Sequence, residues 1–234
     1  MASFFSILLL IIIQCFHQIR AQQLENAKLI VNASSSSGKQ IPDTFMGVFF
    51  EEINHAGAGG LWAELVSNIG FEAGGENDAS NIHPWTIIGD KSSILVSIDR
   101  NSCFNLNKNA LKMEILCNNY SCLPDGVGIS NPGFWGMNIE KGRKYKVIFY
   151  VRSEEKIVLK VSFVGSDDRV KLASTDIILG IDGKSSTWKR IEHVFEANAT
   201  NHNSSLQITT TRKGVLWLDQ ISAMPLDTYK FSLN

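Results

Sequence analysis

The chain has 234 residues, of which 19% are charged and 44% hydrophobic, and its formal net charge is −1. Near-neutrality excludes electrostatic recruitment to nucleic acid or acidic lipid, and the apolar fraction is that of a globular protein with a core. The length suits one domain of moderate size with additional segments.

The first element is an apolar run, Phe4 to Ile13, interrupted by Ser6 and closed by Gln14. It is shorter than the roughly 20 residues of a membrane span. Ile19-Arg20-Ala21 then offers a small residue at a cleavage point before Gln22. Residues 1–21 are therefore expected to be a signal peptide, leaving a secreted chain with no membrane attachment. Four N-glycosylation acceptors agree with that: Asn32, Asn119, Asn198 and Asn203, each with a hydroxyl residue two positions on. Cys15 leaves with the signal, so Cys103, Cys117 and Cys122 remain. In an oxidising compartment two of the three are expected to pair, and spacing does not say which.

Ala27 to Ala33 reads as a short strand, Ser34 to Gly38 as a turn, and Met46 to Glu51 as a second apolar strand. Gly57, Gly59 and Gly60 break regular structure before a short helical piece, Leu61 to Val66. The texture then changes. Leu111, Met113 and Ile115 alternate with polar residues, as do Tyr145, Val147, Phe149 and Val151. Ile157, Leu159, Val161 and Phe163 form a third such run, and Leu206, Ile208 and Thr210 a fourth. Turn signals separate them at Lys141-Gly142, Ser166-Asp167-Asp168, Asp182-Gly183 and Lys213-Gly214. Period-two alternation at short intervals predicts an all-β protein, a jelly-roll β-sandwich across residues 65–225.

Chemistry-bearing residues are sparse. Glu51 and Glu52 are adjacent, and neighbours on a strand point to opposite faces, so they do not flank one glycosidic bond as a carboxylate pair. No G-x-S-x-G or H-E-x-x-H motif occurs, and Gly183-Lys184-Ser185 lacks the first glycine of a phosphate loop. Aromatic residues say more, because sugar rings present an apolar C–H face to flat platforms. Phe134 and Trp135 stand between glycines in Pro132-Gly133-Phe134-Trp135-Gly136. Trp85 is a second platform candidate and Tyr150 a third, with Asn138, Glu140 and Arg152 as polar contacts. Trp188 and Trp217 are assigned to core filling.

The order of these pieces resembles the secreted plant α-L-arabinofuranosidase family. Gly47-Val-Phe-Phe-Glu-Glu-Ile-Asn-His-Ala-Gly57 is similar to that family's first barrel strand, and Ser67-Asn-Ile-Gly-Phe-Glu-Ala-Gly-Gly75 to the opening of its inserted carbohydrate-binding module. Asn131-Pro-Gly-Phe-Trp-Gly-Met-Asn-Ile139, Tyr145 to Ser153 and Gly214 to Pro225 are similar to the module's middle and closing strands. The resemblance implies a galactose-binding-like module over residues 65–225, an orphan barrel strand within residues 22–64, and an unrelated tail over residues 226–234. It implies arabinose contact by Glu51, and a structural calcium with Glu72 and Asp219 as oxygen ligands; no other cofactor is required. The family's two catalytic glutamates lie downstream of the module, so neither is expected here and no catalytic residue is assigned.

The expected function is binding of arabinose-containing cell-wall polysaccharide, arabinoxylan or arabinan, in the extracellular matrix, through Glu51, Trp85, Phe134, Trp135 and Tyr150. One alternative is a fragment or isoform of an active retaining arabinofuranosidase. Another is a secreted sandwich that binds protein through an aromatic patch.

Overall fold

Side chains that alternate between core and solvent need two sheets to bury one face each, and the chain supplies them. The computed structural model describes residues 28–34, 36–47, 51, 53–58, 60–74, 81–166, 170–179 and 187–228. Eleven strands run through these residues: β1 (Thr86–Ile88), β2 (Ile94–Asp99), β3 (Ala110–Ile115), β4 (Val127–Asn131), β5 (Met137–Ile139), β6 (Lys144–Ser153), β7 (Val158–Gly165), β8 (Lys171–Ile178), β9 (Lys189–Glu196), β10 (Asn201–Thr210) and β11 (Gly214–Pro225). All named pairings are antiparallel. A five-stranded sheet has the order β2-β3-β11-β6-β9, and a six-stranded sheet the order β1-β4-β10-β7-β8, with β5 on the edge of β10. The architecture is the predicted jelly-roll sandwich.

The core lies between the sheets. From the five-stranded sheet come Leu111, Met113, Ile115, Tyr145, Val147, Phe149, Val151, Leu216 and Leu218; from the other come Ile129, Leu159, Val161, Phe163, Leu206 and Ile208. All but Ile129, Leu216 and Leu218 belong to the alternating runs that predicted β3, β6, β7 and β10. Strand β11 carries a bulge between Asp219 and Ser222, where the register against β6 shifts, and Gln220 takes a positive φ of 47°. Among the described residues one disulfide joins Cys117 to Cys122, and Cys103 is a free, exposed thiol. The predicted pair is thus resolved, and nothing in the spacing had selected it.

The chain divides into two compact units, Met1–Phe49 and Phe50–Asn234. In the first, the predicted strand over Ala27 to Ala33 is corrected: residues 28–34 are irregular, with Leu29 to Val31 exposed and no strand among the described residues pairing with them, and Ala27 lies outside the described residues. Of the predicted strand Met46 to Glu51, Met46, Gly47 and Glu51 are irregular, and residues 48–50 lie outside the described residues. The predicted helical piece Leu61 to Val66 is also corrected. Six residues gain too few intrahelical bonds to offset nucleation. Their donors go elsewhere, with Leu61 N to Ala56 O, Leu65 N to Ala223 O and Val66 N to the Glu64 carboxylate. The expected signal peptide over residues 1–21, Asp167, Asp168, Asp182, Gly183 and residues 229–234 lie outside the described residues. Among the described residues no helix is long and apolar enough to cross a membrane.

Candidate functional site

The segment from Trp62 to Ala73 runs beside the far half of β11, with Leu65 N donating to Ala223 O and Ile221 N to Ile69 O, and a groove follows it. Buried polar side chains fix its course. Glu64, almost fully buried, accepts from Val66 N and Ala223 N at 2.9 Å each and from Ser222 Oγ at 2.6 Å. Burial raises its pKa above the ordinary glutamate value, against the lowering effect of those bonds. Asn131 donates to Ser67 O and accepts from Ser67 N and Gly133 N, tying the segment to the end of β4. Asn68 and Phe71 both hold positive φ, 57° and 58°. That is an unusual conformation for a bulky buried residue such as Phe71, and the surrounding packing must sustain it.

Two cavities flank this segment, and both are lined by Trp62, Glu64 and Ile69. The larger, about 420 Å³, continues past Ser67, Asn68 and Gly70 to Phe134. The smaller, about 340 Å³, is floored by Ile148, Tyr150, Gln220 and Ser222 of β6 and β11, with Phe104 and Arg190 beside them. Phe104 meets Tyr150 edge-on at 4.9 Å. The volumes and the apolar-plus-polar lining are those of small-ligand sites.

The predicted platform Phe134-Trp135 is a turn between β4 and β5 rather than a strand. Gly133 takes φ 71°, and a side chain there would sit 2.5 Å from Leu65 O; Gly136 takes φ 93° against Asn203 Oδ1. The glycines therefore let the turn press onto its neighbours and push Trp135 outward, 69% exposed. His55 packs against both rings, at 4.8 Å from Phe134 and 5.0 Å from Trp135. No spacing argument had brought His55 and Trp62 to this turn.

The other predicted residues fall in different places. Tyr150 faces outward from β6, as predicted, and joins the smaller cavity. Trp85 is corrected. It is 3% exposed, packs on Phe71 at 5.5 Å, and spends its indole N–H on Asn68 O, so it offers no ring face to a ligand. Trp188 is corrected in the opposite sense, since it is only half-buried; Trp217 is buried as expected, 6% exposed, but under polar cover rather than between the sheets. Trp217 alternates with core residues Leu216 and Leu218 and so faces away from the core. The Arg152 guanidinium lies over its ring at 4.0 Å and Lys112 at 6.0 Å, while Asp99 accepts its indole N–H. Trp188 flanks the same guanidinium at 5.5 Å. Arg152 is thus a cation between two indoles, a role outside its predicted polar contact. Asn138 and Glu140 bond each other at 2.7 Å away from both cavities. Glu51 is exposed, and none of the contacts that build the groove involves it.

Glu72 and Asp219 are held near one another at the far side of the segment. Asn109 donates to both Glu72 oxygens, at 3.1 Å from its backbone and 2.8 Å from its side chain. Asp219 is fully buried and accepts from Ser102 Oγ and from Gln220 N. Burial pushes its pKa up to about 6, and the charged group that bears on it is Glu72, of like sign. Among the described residues no cluster of three or more His, Cys, Asp or Glu forms a metal site. All four acceptor asparagines, Asn32, Asn119, Asn198 and Asn203, are exposed.

No family model matches the chain. It is 57% identical over 212 residues to α-L-arabinofuranosidase 2 of Arabidopsis thaliana, a match covering 91% of this chain and 31% of that protein. It is 57% identical over 202 residues to α-L-arabinofuranosidase 1 of the same plant, covering 86% of this chain and 30% of that protein. Among solved structures, the arabinose-bound MgGH51 α-L-arabinofuranosidase superposes with a TM-score of 0.64 at 24% identity, over 77% of this chain and 29% of that one. The chain spans about a third of the length of the curated relatives it matches.

Proposed function

We propose, for a chain homologous to part of the plant α-L-arabinofuranosidases, that the sandwich binds arabinose-containing cell-wall polysaccharide outside the cell. The observation that carries this reading is the aromatic turn. Trp135 stands exposed with His55 edge-on to it and Phe134 tilted beside it, and Phe134 lines the groove. A flat ring beside a groove that mixes apolar and polar side chains is what the C–H face and hydroxyls of a sugar require together. Retention on insoluble arabinoxylan is the test. Trp135→Ala should reduce it about threefold to tenfold, the loss of one aromatic contact. Unchanged retention would remove this turn from the site, and capture of a protein with no glycan retained would favour the protein-binding alternative.

The surroundings support further parts of the reading. Secretion and glycosylation at the four exposed asparagines belong to it. So does a calcium ion held by Glu72 and Asp219, with Ser102 and Asn109 beside them. A buried carboxylate whose charged neighbour is another carboxylate fits a divalent cation better than it fits an empty space. Calcium there would supply charge neutralisation and would join the segment at Glu72 to β11.

A second reading is favoured by the relatives, which are about three times as long and are named as hydrolases. In it, this chain is the binding part of a longer retaining arabinofuranosidase whose acid/base and nucleophile glutamates lie elsewhere. Hydrolysis of an aryl arabinofuranoside by the purified 234-residue chain would contradict the assignment of binding alone.

A further inference from the structure

One of the acceptor asparagines is packed on the aromatic turn itself. A side chain at Gly136 would meet Asn203 Oδ1 at 2.3 Å and Asn203 Cα at 3.1 Å. Gly136 follows Trp135, so their α-carbons stand about 3.8 Å apart. The sheet fixes this contact. Ser204 pairs with Met137 at the start of β5, and His202 Nδ1 lies 2.6 Å from Asn138 Oδ1. Between these two ties Asn203 donates its backbone N–H to Asn201 Oδ1 at 2.8 Å. Its side chain is exposed, and among the described residues no hydrogen bond engages the side-chain amide. Asn198 is placed differently, with its backbone N–H donating to Leu172 O on the β8 side. The turn beside Asn203 carries a contiguous aromatic surface, not an isolated ring, because His55, Phe134 and Trp135 touch one another and Trp135 is 69% exposed.

We propose that the N-linked glycan of Asn203 lies over the Trp135 ring, so that glycosylation at this one position regulates access to the platform. The inference rests on secretion for the glycan and on the glycan-binding reading for what the access is worth. In the attachment a lipid-pyrophosphate donor gives up its oligosaccharide. The bond from sugar C1 to the pyrophosphate oxygen breaks, the bond from C1 to Asn203 Nδ2 forms, and one amide proton leaves. The innermost sugar brings a C–H face and an acetamido methyl, which are the surfaces that pack on an indole. A contact of that kind is too weak to hold a free monosaccharide. The tether changes this, because a short linkage gives an effective concentration of order millimolar. Nδ2 belongs to the amide that touches Gly136, one residue from the ring, so the linkage starts within reach. A glycan on Asn198 starts instead beside β8.

The test uses the full chain secreted from a eukaryotic host, with glycopeptide mass spectrometry reporting occupancy at Asn203. Hydroxyl-radical footprinting reads the exposure of Trp135 directly, with no polysaccharide present. Ser205→Ala removes the acceptor motif and leaves Asn203 against Gly136; Asn203→Gln carries the test if that variant does not fold, and Asn198→Gln is the control. Oxidation of Trp135 should rise severalfold in Ser205→Ala and stay at the wild-type level in Asn198→Gln. Retention on insoluble arabinoxylan should rise about threefold to tenfold in Ser205→Ala, the worth of the one aromatic contact uncovered. Adding Trp135→Ala to that variant should cancel the gain. Equal oxidation with and without the Asn203 glycan, an equal rise in Asn198→Gln, or an Asn203 that carries no glycan overturns the cover. If oxidation rises while Ser205→Ala and the added Trp135→Ala both leave retention unchanged, the cover stands and the binding reading at this turn falls. If the added Trp135→Ala lowers retention while oxidation is the same with and without the glycan, the binding reading stands and the cover falls.

Discussion

Glu64 is the residue on which the groove depends, and two substitutions separate its hydrogen bonding from its charge. Glu64→Ala strands three donors, Val66 N, Ala223 N and Ser222 Oγ. A buried unsatisfied group costs about 1–3 kcal/mol. The cavities on either side let water reach them, which places the sum near the lower end, about 3 kcal/mol. Glu64→Gln keeps an oxygen toward the two backbone N–H groups and turns its amide toward the Ser222 hydroxyl, which accepts as readily as it donates. That variant should fall within about 1 kcal/mol of wild type in acid. The pH dependence then distinguishes them further. Because burial raises Glu64, the unfolded chain loses this proton first as pH climbs past the ordinary 4.5. The native state binds more protons than the unfolded state in that window, so wild-type stability falls until pH exceeds the raised value. Glu64→Gln lacks that loss and should gain on wild type from pH 4 to pH 8. Urea unfolding at both pH values measures all three proteins. Equal destabilisation by Ala and Gln, or parallel pH profiles for Gln and wild type, would refute the argument.

Three more outcomes are expected. Arg152→Met should cost about 1 kcal/mol and shift tryptophan fluorescence, because the cation over Trp217 and Trp188 is lost while apolar cover remains; an unchanged melting curve would deny the contact any energetic role. Calcium should raise the thermal midpoint and a chelator should lower it, and Asp219→Asn should abolish both responses; a variant that still responds would exclude Asp219 as a ligand. Of the four acceptor asparagines, Asn119 should carry the least glycan. Its sequon lies inside the Cys117–Cys122 loop, where Ser121 Oγ is engaged with Asn118 and Asn119 Oδ1 with Thr211. Glycopeptide mass spectrometry of wild type and the Cys117→Ser/Cys122→Ser variant measures it, and equal occupancy in the two would count against the constraint.

The sandwich was legible wherever one face of a strand is core and the other solvent. Phe149 and Val151 bracket outward Tyr150, and that contrast marks β6. β4 escaped because Gly128 sits where a side chain would strike Ile208 O at 2.0 Å, so contact with β10 erases the pattern. Leu61 to Val66 looked helical because apolar residues recur there, yet its backbone donors are claimed by distant acceptors such as Ala223 O. Trp85 was read in reverse, and Trp217 is buried as expected but beneath unexpected cover, for the same reason: an indole's surroundings are tertiary, and neither a neighbouring proline nor a strand position reveals a roof of Arg152 or a floor of Phe71. Gln220 had no local signature, since its positive φ belongs to a register shift against β6.

The bulge in β11 also changes the strand's counting. Up to it, even-numbered Leu216 and Leu218 enter the core; beyond it, odd-numbered Ile221 and Ala223 do. The strand therefore reads in two phases joined by a single supernumerary residue. Deleting Gln220 would leave Leu216, Leu218, Ile221 and Ala223 at every second position, so the core face would be kept and only the local kink lost. A one-residue deletion at the bulge should therefore spare the core, whereas the same deletion beyond Ser222 would turn the end of the strand over, a frame-like constraint acting on the folded chain.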